Sequence, residues 1–330
     1  MKQVAIVILN YNGQKHLEQF LPSVRQFSEG CELWVADNAS TDSSMEWLAA
    51  QPGLNLLTIP ENKGYAGGYN YALSRIEAEF YVLLNSDVEV TPHWIEPVIS
   101  YMQANSNVAA CQPKIKSFAT PTHFEYAGAA GGFMDYLGYP YCRGRIFDTC
   151  EKDSGQYDHT MDVFWATGAC LFVRAKDFHA VGGFDELFFA HMEEIDLCWR
   201  LINRGHRISC CGQSEVFHVG GGTLHKSNPR KTFLNYRNNL VMLYKNLPAK
   251  QLFPVLLARL LLDGVSSVRF IMAGAWPDVW AIVRAHFAFY GLIPKLSRMR
   301  KELPIQAELY QKSVVWQYFI KGKKRFSQLP

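Results

Sequence analysis

The first hundred residues switch four times from a short apolar run to a stretch of helical periodicity, and that rhythm restricts the fold more than any other feature. Residues 4–9 precede 14–26, 33–36 precede 43–50, 54–59 precede 65–75, and 80–84 precede 92–102. Strand followed by helix, repeated, predicts a mostly parallel sheet flanked by helices, because parallel neighbours need a crossover between them. The helix starts are signposted. Ser43 with Glu46 three residues on fits a capping box, and Thr91 before Pro92 fits an N-cap followed by proline at the first helical position. With 330 residues and 48% apolar content, the chain can build one large domain or a domain with an appendage.

Residues 117–160 lose the rhythm to glycines, prolines and aromatics and read as an insertion or long loop near the functional face. Strand character returns over 163–173, on both sides of Gly168. An acidic cluster, Glu193, Glu194 and Asp196, then opens a helix that closes at Gly205, a residue suited to a C-cap.

Charge divides the chain in two. Residues 1–224 hold 15 Lys and Arg against 26 Asp and Glu, whereas 225–330 hold 18 against 4. This predicts an α/β domain over 1–224 and a basic helical region over 225–330. Such a split fits an anionic partner, nucleic acid or a lipid surface, and the apolar content of the second region favours lipid over nucleic acid. The stretch 252–276 is long and apolar, but Arg259, Asp263 and Arg269 interrupt it. Helices lying on a membrane face fit it better than a spanning helix, with Lys295, Arg298, Arg300, Lys301, Lys321, Lys323, Lys324 and Arg325 near anionic head groups. A helical bundle or homodimer interface is the competing reading. The first apolar run is too short for a secretory signal, and the eight cysteines show no CxxC or zinc spacing. Both point to a cytoplasmic protein, peripheral on the inner face of the plasma membrane.

Chemistry gathers where elements end. Asp37 follows the second strand, Asn85 Ser86 Asp87 follow the fourth, and Glu193, Glu194 and Asp196 stand at a helix start. Ligands in open α/β sheets bind outside the carboxyl ends of the strands, so these carboxylates suit a charged, metal-bound ligand. The Gly-rich run from Asn62 to Asn70 leads into a helix whose first N–H groups suit a phosphate.

Taken in order, six motifs resemble family 2 glycosyltransferases of the GT-A fold. They are Val7 Ile8 Leu9 Asn10 Tyr11 Asn12 Gly13, Val35 Ala36 Asp37 Asn38 Ala39 Ser40 Thr41 Asp42, Asn62 Lys63 Gly64, Leu84 Asn85 Ser86 Asp87, Gly183 Phe184 Asp185 Glu186, and Glu193 Glu194 Ile195 Asp196 Leu197 Cys198 Trp199 Arg200. Within that family the chain is most similar to bacterial rhamnosyltransferases that build surface polysaccharides, and His218 Val219 Gly220 Gly221 Gly222 Thr223 suits that branch.

The resemblance implies a role for each residue. Asp37 would accept the N3–H of a uracil or thymine base, flanked by Leu9 and Asn10, because an ionised carboxylate only accepts. Asn62, Gly64 and Asn70 would lie along the nucleotide, while Gly67 and Gly68 relieve packing. Asp87 would hold Mn²⁺ or Mg²⁺, with His218 as a further ligand that tilts preference toward Mn²⁺. Asn85 stands where many relatives carry a second carboxylate and would hydrogen-bond ribose or phosphate. Glu194 would be the general base of an inverting transfer, with Glu193 and Asp196 as alternative bases or orienters. Trp165, Thr167 and Gly168 would floor the acceptor or sugar pocket. Implied partners are a UDP- or dTDP-sugar donor and a saccharide or lipid-linked acceptor.

Two other readings compete. A nucleotidyltransferase would be expected to carry a Gly-rich, basic signature after the first strand, where this chain has Asn10 Tyr11 Asn12 Gly13 and only Lys15 as a nearby cation. A silent, membrane-docked scaffold would have no reason to keep Asp37, Asp87, Glu194 and His218 together.

Overall fold

The computed structural model describes residues 2–220, 228–300 and 307–330. The alternating rhythm becomes β1 (Lys2–Asn10), α1 (Gln14–Gln26), β2 (Glu32–Asp37), α2 (Ser44–Ala49), β3 (Asn55–Thr58), α3 (Gly64–Leu73) and β4 (Ala78–Asn85). Then come β5 (Val88–Val90), α4 (Glu96–Ala104), β6 (Val108–Ser117), β7 (Gly132–Met134), β8 (Pro140–Cys142), β9 (Arg145–Ile146) and β10 (Thr149–Cys150). The α/β part closes with β11 (Met161–Val163), β12 (Cys170–Arg174), α5 (Ala175–Ala180), α6 (Glu193–Ile202) and β13 (Arg207–His218).

One nine-stranded sheet runs β11-β13-β6-β12-β4-β1-β2-β3, with β5 paired to β13. Its β1 to β4 portion is parallel, and β12 runs antiparallel to both β4 and β6. Helices cover both faces, which is why β1 is apolar at nearly every position. Ala5 and Val7 enter one core, while Val4, Ile6 and Ile8 enter the other.

Local signals were overridden in three places. Ser43 is the N-cap of α2 but makes no side-chain cap; Asp42 Oδ1 instead takes the Ser44 N–H at 3.0 Å. Helix α4 begins at Glu96 rather than Pro92, because the Thr91 hydroxyl donates to Glu215 O at 2.7 Å and ties β5 to β13. Residues 117–160 hold a second, four-stranded antiparallel sheet, β10-β9-β8-β7, rather than a plain loop. Tyr141 and Ile146 of that sheet pack with Val314 near the C-terminus, a long-range contact with no local signature.

The basic region supplies α7 (Pro229–Asn246), α8 (Ala249–Met272) and α9 (Trp276–Met299). The expected boundary after residue 224 lies outside the described residues, as do Gly221, Gly222, Thr223 and Lys301. Leu240, Val241 and Leu243 of α7 share one core with Leu197, Trp199 and Leu201 of α6. Among the described residues no helix is long and apolar enough to cross a membrane.

Candidate active site

Strand β1 lies between β2 and β4, so the chain order reverses direction across it and a crevice opens at its carboxyl end. Register aligns the donor-side residues there, with Asn10 opposite Asp37 and Leu9 opposite Asn85. The Asn10 amide donates to Asp37 Oδ1 at 2.9 Å and to Ser40 Oγ at 3.1 Å, and Asp37 Oδ2 takes the Ser40 N–H at 2.9 Å. Asp37 is buried and holds its loop in place, yet a carboxylate has about four acceptor positions and these bonds leave some free. Leu9 is half-buried over Gly68, where an added Cβ would fall 2.8 Å from Leu9 Cδ1. Asn85 is half-buried at the same edge, its N–H donating to Ala169 O at 3.0 Å.

The Gly-rich run does not present free donors. Lys63 N–H donates to Asn38 Oδ1 at 3.0 Å and Gly64 N–H to Asn62 Oδ1 at 2.9 Å. Tyr65 and Ala66 N–H both reach Phe189 O, at 2.7 and 3.3 Å. Each N–H that would have met a phosphate thus already has a protein acceptor, which corrects the expectation drawn from the sequence. Gly64 is required for another reason: its φ is +67°, and a Cβ would fall 2.4 Å from Phe189 O. Asn70 points elsewhere, exchanging two 2.9 Å bonds with the backbone of Phe184 and so pinning the 183–186 turn to α3.

Pairing of β5 with β13 brings Asp87 and His218 together from 131 residues apart. His218 Nε2 lies 3.1 Å from Asp87 Oδ1, and its Nδ1 lies 3.2 Å from Glu125 Oε2. All three are buried. Burial alone would depress the imidazole and raise the carboxyls. The two hydrogen bonds and opposite charges outweigh it, raising His218 to about 10 and lowering Asp87 and Glu125.

These residues fit a divalent metal. Two donors bound at right angles, each at roughly 2.1 Å, stand about 3 Å apart, matching the Asp87 to His218 spacing. A carboxylate on the far ring nitrogen is the usual support of a metal-binding histidine, and Glu125 occupies that position. Among the described residues no group of three or more His, Cys, Asp or Glu could hold a metal ion, so Asp87 and His218 would be part of a site and not the whole of it.

The acidic cluster splits into two environments. Asp196 is buried and receives Lys245 Nζ at 2.9 Å, Asn246 Nδ2 at 2.8 Å and Arg200 Nε at 2.7 Å. Burial opposes ionisation, but the Lys245 and Arg200 charges prevail and hold Asp196 at about 2. An acid so weakly basic is unfit to take a proton, which removes it as a base and leaves it a structural anchor between α6 and α7. Glu193 and Glu194 have the opposite setting. Among the described residues no donor reaches the shielded Oε2 of either. Burial raises both, Glu194 to about 7, and Glu193 further through its neighbour's charge.

The turn before α6 is strained. Phe189, His191 and Met192 have φ of +63°, +71° and +73°. Asn238 of α7 holds it, donating to Phe188 O, Ala190 O and His191 O at 2.9, 2.8 and 2.7 Å.

Trp165, Thr167 and Gly168 are buried rather than open to a sugar. The Trp165 indole donates to Phe133 O at 3.0 Å beneath Gly132, where any Cβ would collide with the ring. Thr167 N–H donates to Gln112 Oε1 at 2.9 Å, and Gly168 O accepts from the Tyr65 hydroxyl at 2.7 Å.

The family model for glycosyl transferase family 2 matches residues 5–161. The chain carries a family 2 glycosyltransferase domain. The N-acetylglucosaminyl-diphospho-decaprenol L-rhamnosyltransferase of Mycobacterium tuberculosis is 28% identical over 233 residues, covering 64% of this chain and 75% of that protein. Rhamnosyltransferase WbbL of Escherichia coli is 22% identical, covering 80% and 98%. Among solved structures, GalNAc-T7 with UDP, GalNAc and Mn²⁺ superposes with a TM-score of 0.59 at 13% identity, over 76% of this chain and 49% of that one. The mostly parallel sheet with flanking helices is the GT-A fold, and the match sets the nucleotidyltransferase reading aside.

Three residues of this glycosyltransferase's site escaped sequence reasoning. Glu125 lies in the irregular region, His191 is a lone histidine before the acidic cluster, and Asn238 is one of four asparagines in α7, beyond the acidic-cluster motif. The His191 ring has an unpartnered Nε2 among the described residues and burial lowers it to about 4.

Proposed function

We propose that this glycosyltransferase moves a sugar, foremost a deoxyhexose, from a UDP- or dTDP-sugar to a hydroxyl of a lipid-linked saccharide, with inversion at the anomeric carbon. The observation that carries the reading is the Glu193 and Glu194 pair in the first turn of α6, whose shielded Oε2 atoms have no hydrogen-bond partner among the described residues. The relatives' names supply the sugar and the lipid-linked acceptor class.

Glu194 acts as the base. At about 7 it is ionised enough near neutrality to accept a proton and basic enough to hold it. As the acceptor O–H proton passes to Glu194, the oxygen attacks the anomeric carbon and the bond from that carbon to the diphosphate oxygen breaks on the opposite side. Glu193, held protonated by burial and its neighbour's charge, keeps the pair from carrying two charges. Asp37 and Asn10 seat the base of the nucleotide, with Leu9 beside it and Asn85 toward the ribose or phosphate. Asp87 and His218, oriented by Glu125, hold Mn²⁺ or Mg²⁺, which when bound neutralises charge on the departing diphosphate.

A panel of UDP- and dTDP-sugars, assayed for hydrolysis and transfer with and without Mn²⁺ and read by mass spectrometry, tests this. Metal-dependent turnover of one donor is the expected result. Pyrophosphorolysis, or no binding of any nucleotide sugar, would overturn it.

A further inference from the structure

Helix α8 buries two charges on its inner face and exposes an apolar stripe on its outer one. Its inward face carries Arg259 and Asp263, both buried, with Arg259 Nη2 3.5 Å from Asp263 Oδ1 and His286 Nε2 of α9 3.1 Å from Asp263 Oδ2. Arg259 also donates to Leu137 O at 3.2 Å and lies 3.9 Å over the Tyr139 ring. The outward face carries Phe253, Leu257, Leu261, Val265, Val268 and Met272, spaced by threes and fours along one stripe and 48% to 84% exposed. A helix that only covers a soluble core turns a polar face outward, whereas α8 is apolar on both sides, with Val255, Leu256 and Leu260 packing inward beside the buried charges.

The stripe continues past the helix. Beyond the turn stand Trp276 and Trp280, 62% and 64% exposed. Arg269, on the outer edge of α8, lies 5.8 Å from the Phe319 ring, so Trp316, Phe319 and Ile320, all exposed, border the same surface. Lys321, Lys323, Lys324 and Arg325 follow at once. An apolar surface of this extent on a described face marks an interaction site.

We propose that this face docks on an anionic lipid bilayer, with α8 lying in the plane of the interface. The stripe enters the boundary between head groups and acyl chains, the tryptophans sit at that level, and the basic cluster meets the head groups. Charge decides between lipid and a second copy. Residues 225–330 hold 18 Lys and Arg against 4 Asp and Glu, so two copies face to face would bring like charges together, whereas anionic lipid neutralises them. The inference deepens the proposed function by setting the site beside the surface where a lipid-linked acceptor resides.

Cosedimentation of the full chain with phosphatidylglycerol or phosphatidylcholine vesicles tests it. Binding to the anionic vesicles, weakened by salt, is expected. The double variant Leu261→Glu and Val265→Glu should lose about tenfold or more in bound fraction while its thermal unfolding stays unchanged. Replacing Lys321, Lys323 and Lys324 by Ser should remove most of the salt-sensitive part. Equal binding by the Glu variant and the native chain would overturn the proposal, as would a stable dimer in sedimentation equilibrium that those substitutions dissociate without any vesicle binding. Binding of UDP or dTDP with Mn²⁺, measured without lipid, should be the same in the variants. Failure of nucleotide binding in the native chain would count against the transferase reading alone and leave the vesicle result standing.

Discussion

The carboxyl edge of the sheet and the α8–α9 hairpin both bury charge, and they differ in what is left over. At the sheet edge Asp87, His218 and Glu125 satisfy one another and Asp196 is met by Lys245, Asn246 and Arg200, yet Glu193 and Glu194 keep acceptor atoms unmet. At the hairpin Arg259, Asp263 and His286 pair with one another, Arg259 Nε alone among those three side chains lacking a partner among the described residues, and the larger remainder is a row of apolar side chains. A buried, unpaired acceptor costs free energy until a hydroxyl reaches it. An exposed apolar row costs free energy until an apolar medium covers it. Each region therefore points to its own partner through its unpaid remainder, one chemical and one physical.

The sharpest way to break this comparison is at Glu194. Glu194→Gln should lower kcat about 10³-fold while donor binding, measured by calorimetry, stays intact. In the native enzyme the rate should climb with pH through about 7, since only the ionised carboxylate accepts a proton, and level off above it. A profile flat through neutrality would remove Glu194 from this role.

Asp196 sits two residues away and should fail differently. Asp196→Ala leaves Lys245 with Asp185 alone, 2.6 Å away, and strands the Asn246 and Arg200 donors, and should cost about 1–3 kcal/mol of stability in urea unfolding. The sign of its pH dependence follows from a carboxyl held at about 2 in the folded chain. Its contribution is complete above the usual carboxyl pKa and drains away as pH falls toward about 2. Activity lost without destabilisation would show that Asp196 takes part in the chemistry.

A smaller effect belongs to Glu125. Glu125→Gln should weaken Mn²⁺ binding about 10- to 100-fold in titration calorimetry by freeing the His218 ring to turn, without abolishing it. Unchanged affinity would mean that Glu125 only fills space beside Gly220. The smallest effect marks the other region: Leu261→Glu, a charge placed on an apolar helix stripe, should change stability by no more than about 0.5 kcal/mol, because that side chain touches little. A large loss would mean that the stripe is covered within the protein.

Much of the frame was legible in the chain. The residues of α1 match their periodicity from Gln14 to Gln26, and β1, β2 and β4 fall on their apolar runs, since the periods of 3.6 and 2 are local properties. Where reading failed, a distant partner had intervened. Thr91 had every mark of an N-cap, but Glu215 O, 124 residues on, claims its hydroxyl. The N–H groups after Asn62 resembled a phosphate cradle, but Phe189 O arrives from the far side of the chain to occupy two of them.

The acidic motif shows the division most plainly. Its sequence determined that three carboxylates would crowd the first turn of one helix, at the edge where an α/β sheet binds its ligand. Only the tertiary structure made Asp196 an anchor and left Glu193 and Glu194 with unmet acceptors among the described residues, because Lys245 and Asn246 come from a helix about fifty residues later and, of the three, reach only Asp196. The same holds for the hairpin: composition determined that residues 225–330 would be basic and apolar, while folding decided that Arg259 and Asp263 turn inward beside Val255, Leu256 and Leu260 and leave Leu257 and Leu261 outside. Periodicity acts between neighbours and can be read in one dimension. Desolvation and charge pairing depend on which surfaces meet, and those are set only when the chain closes on itself.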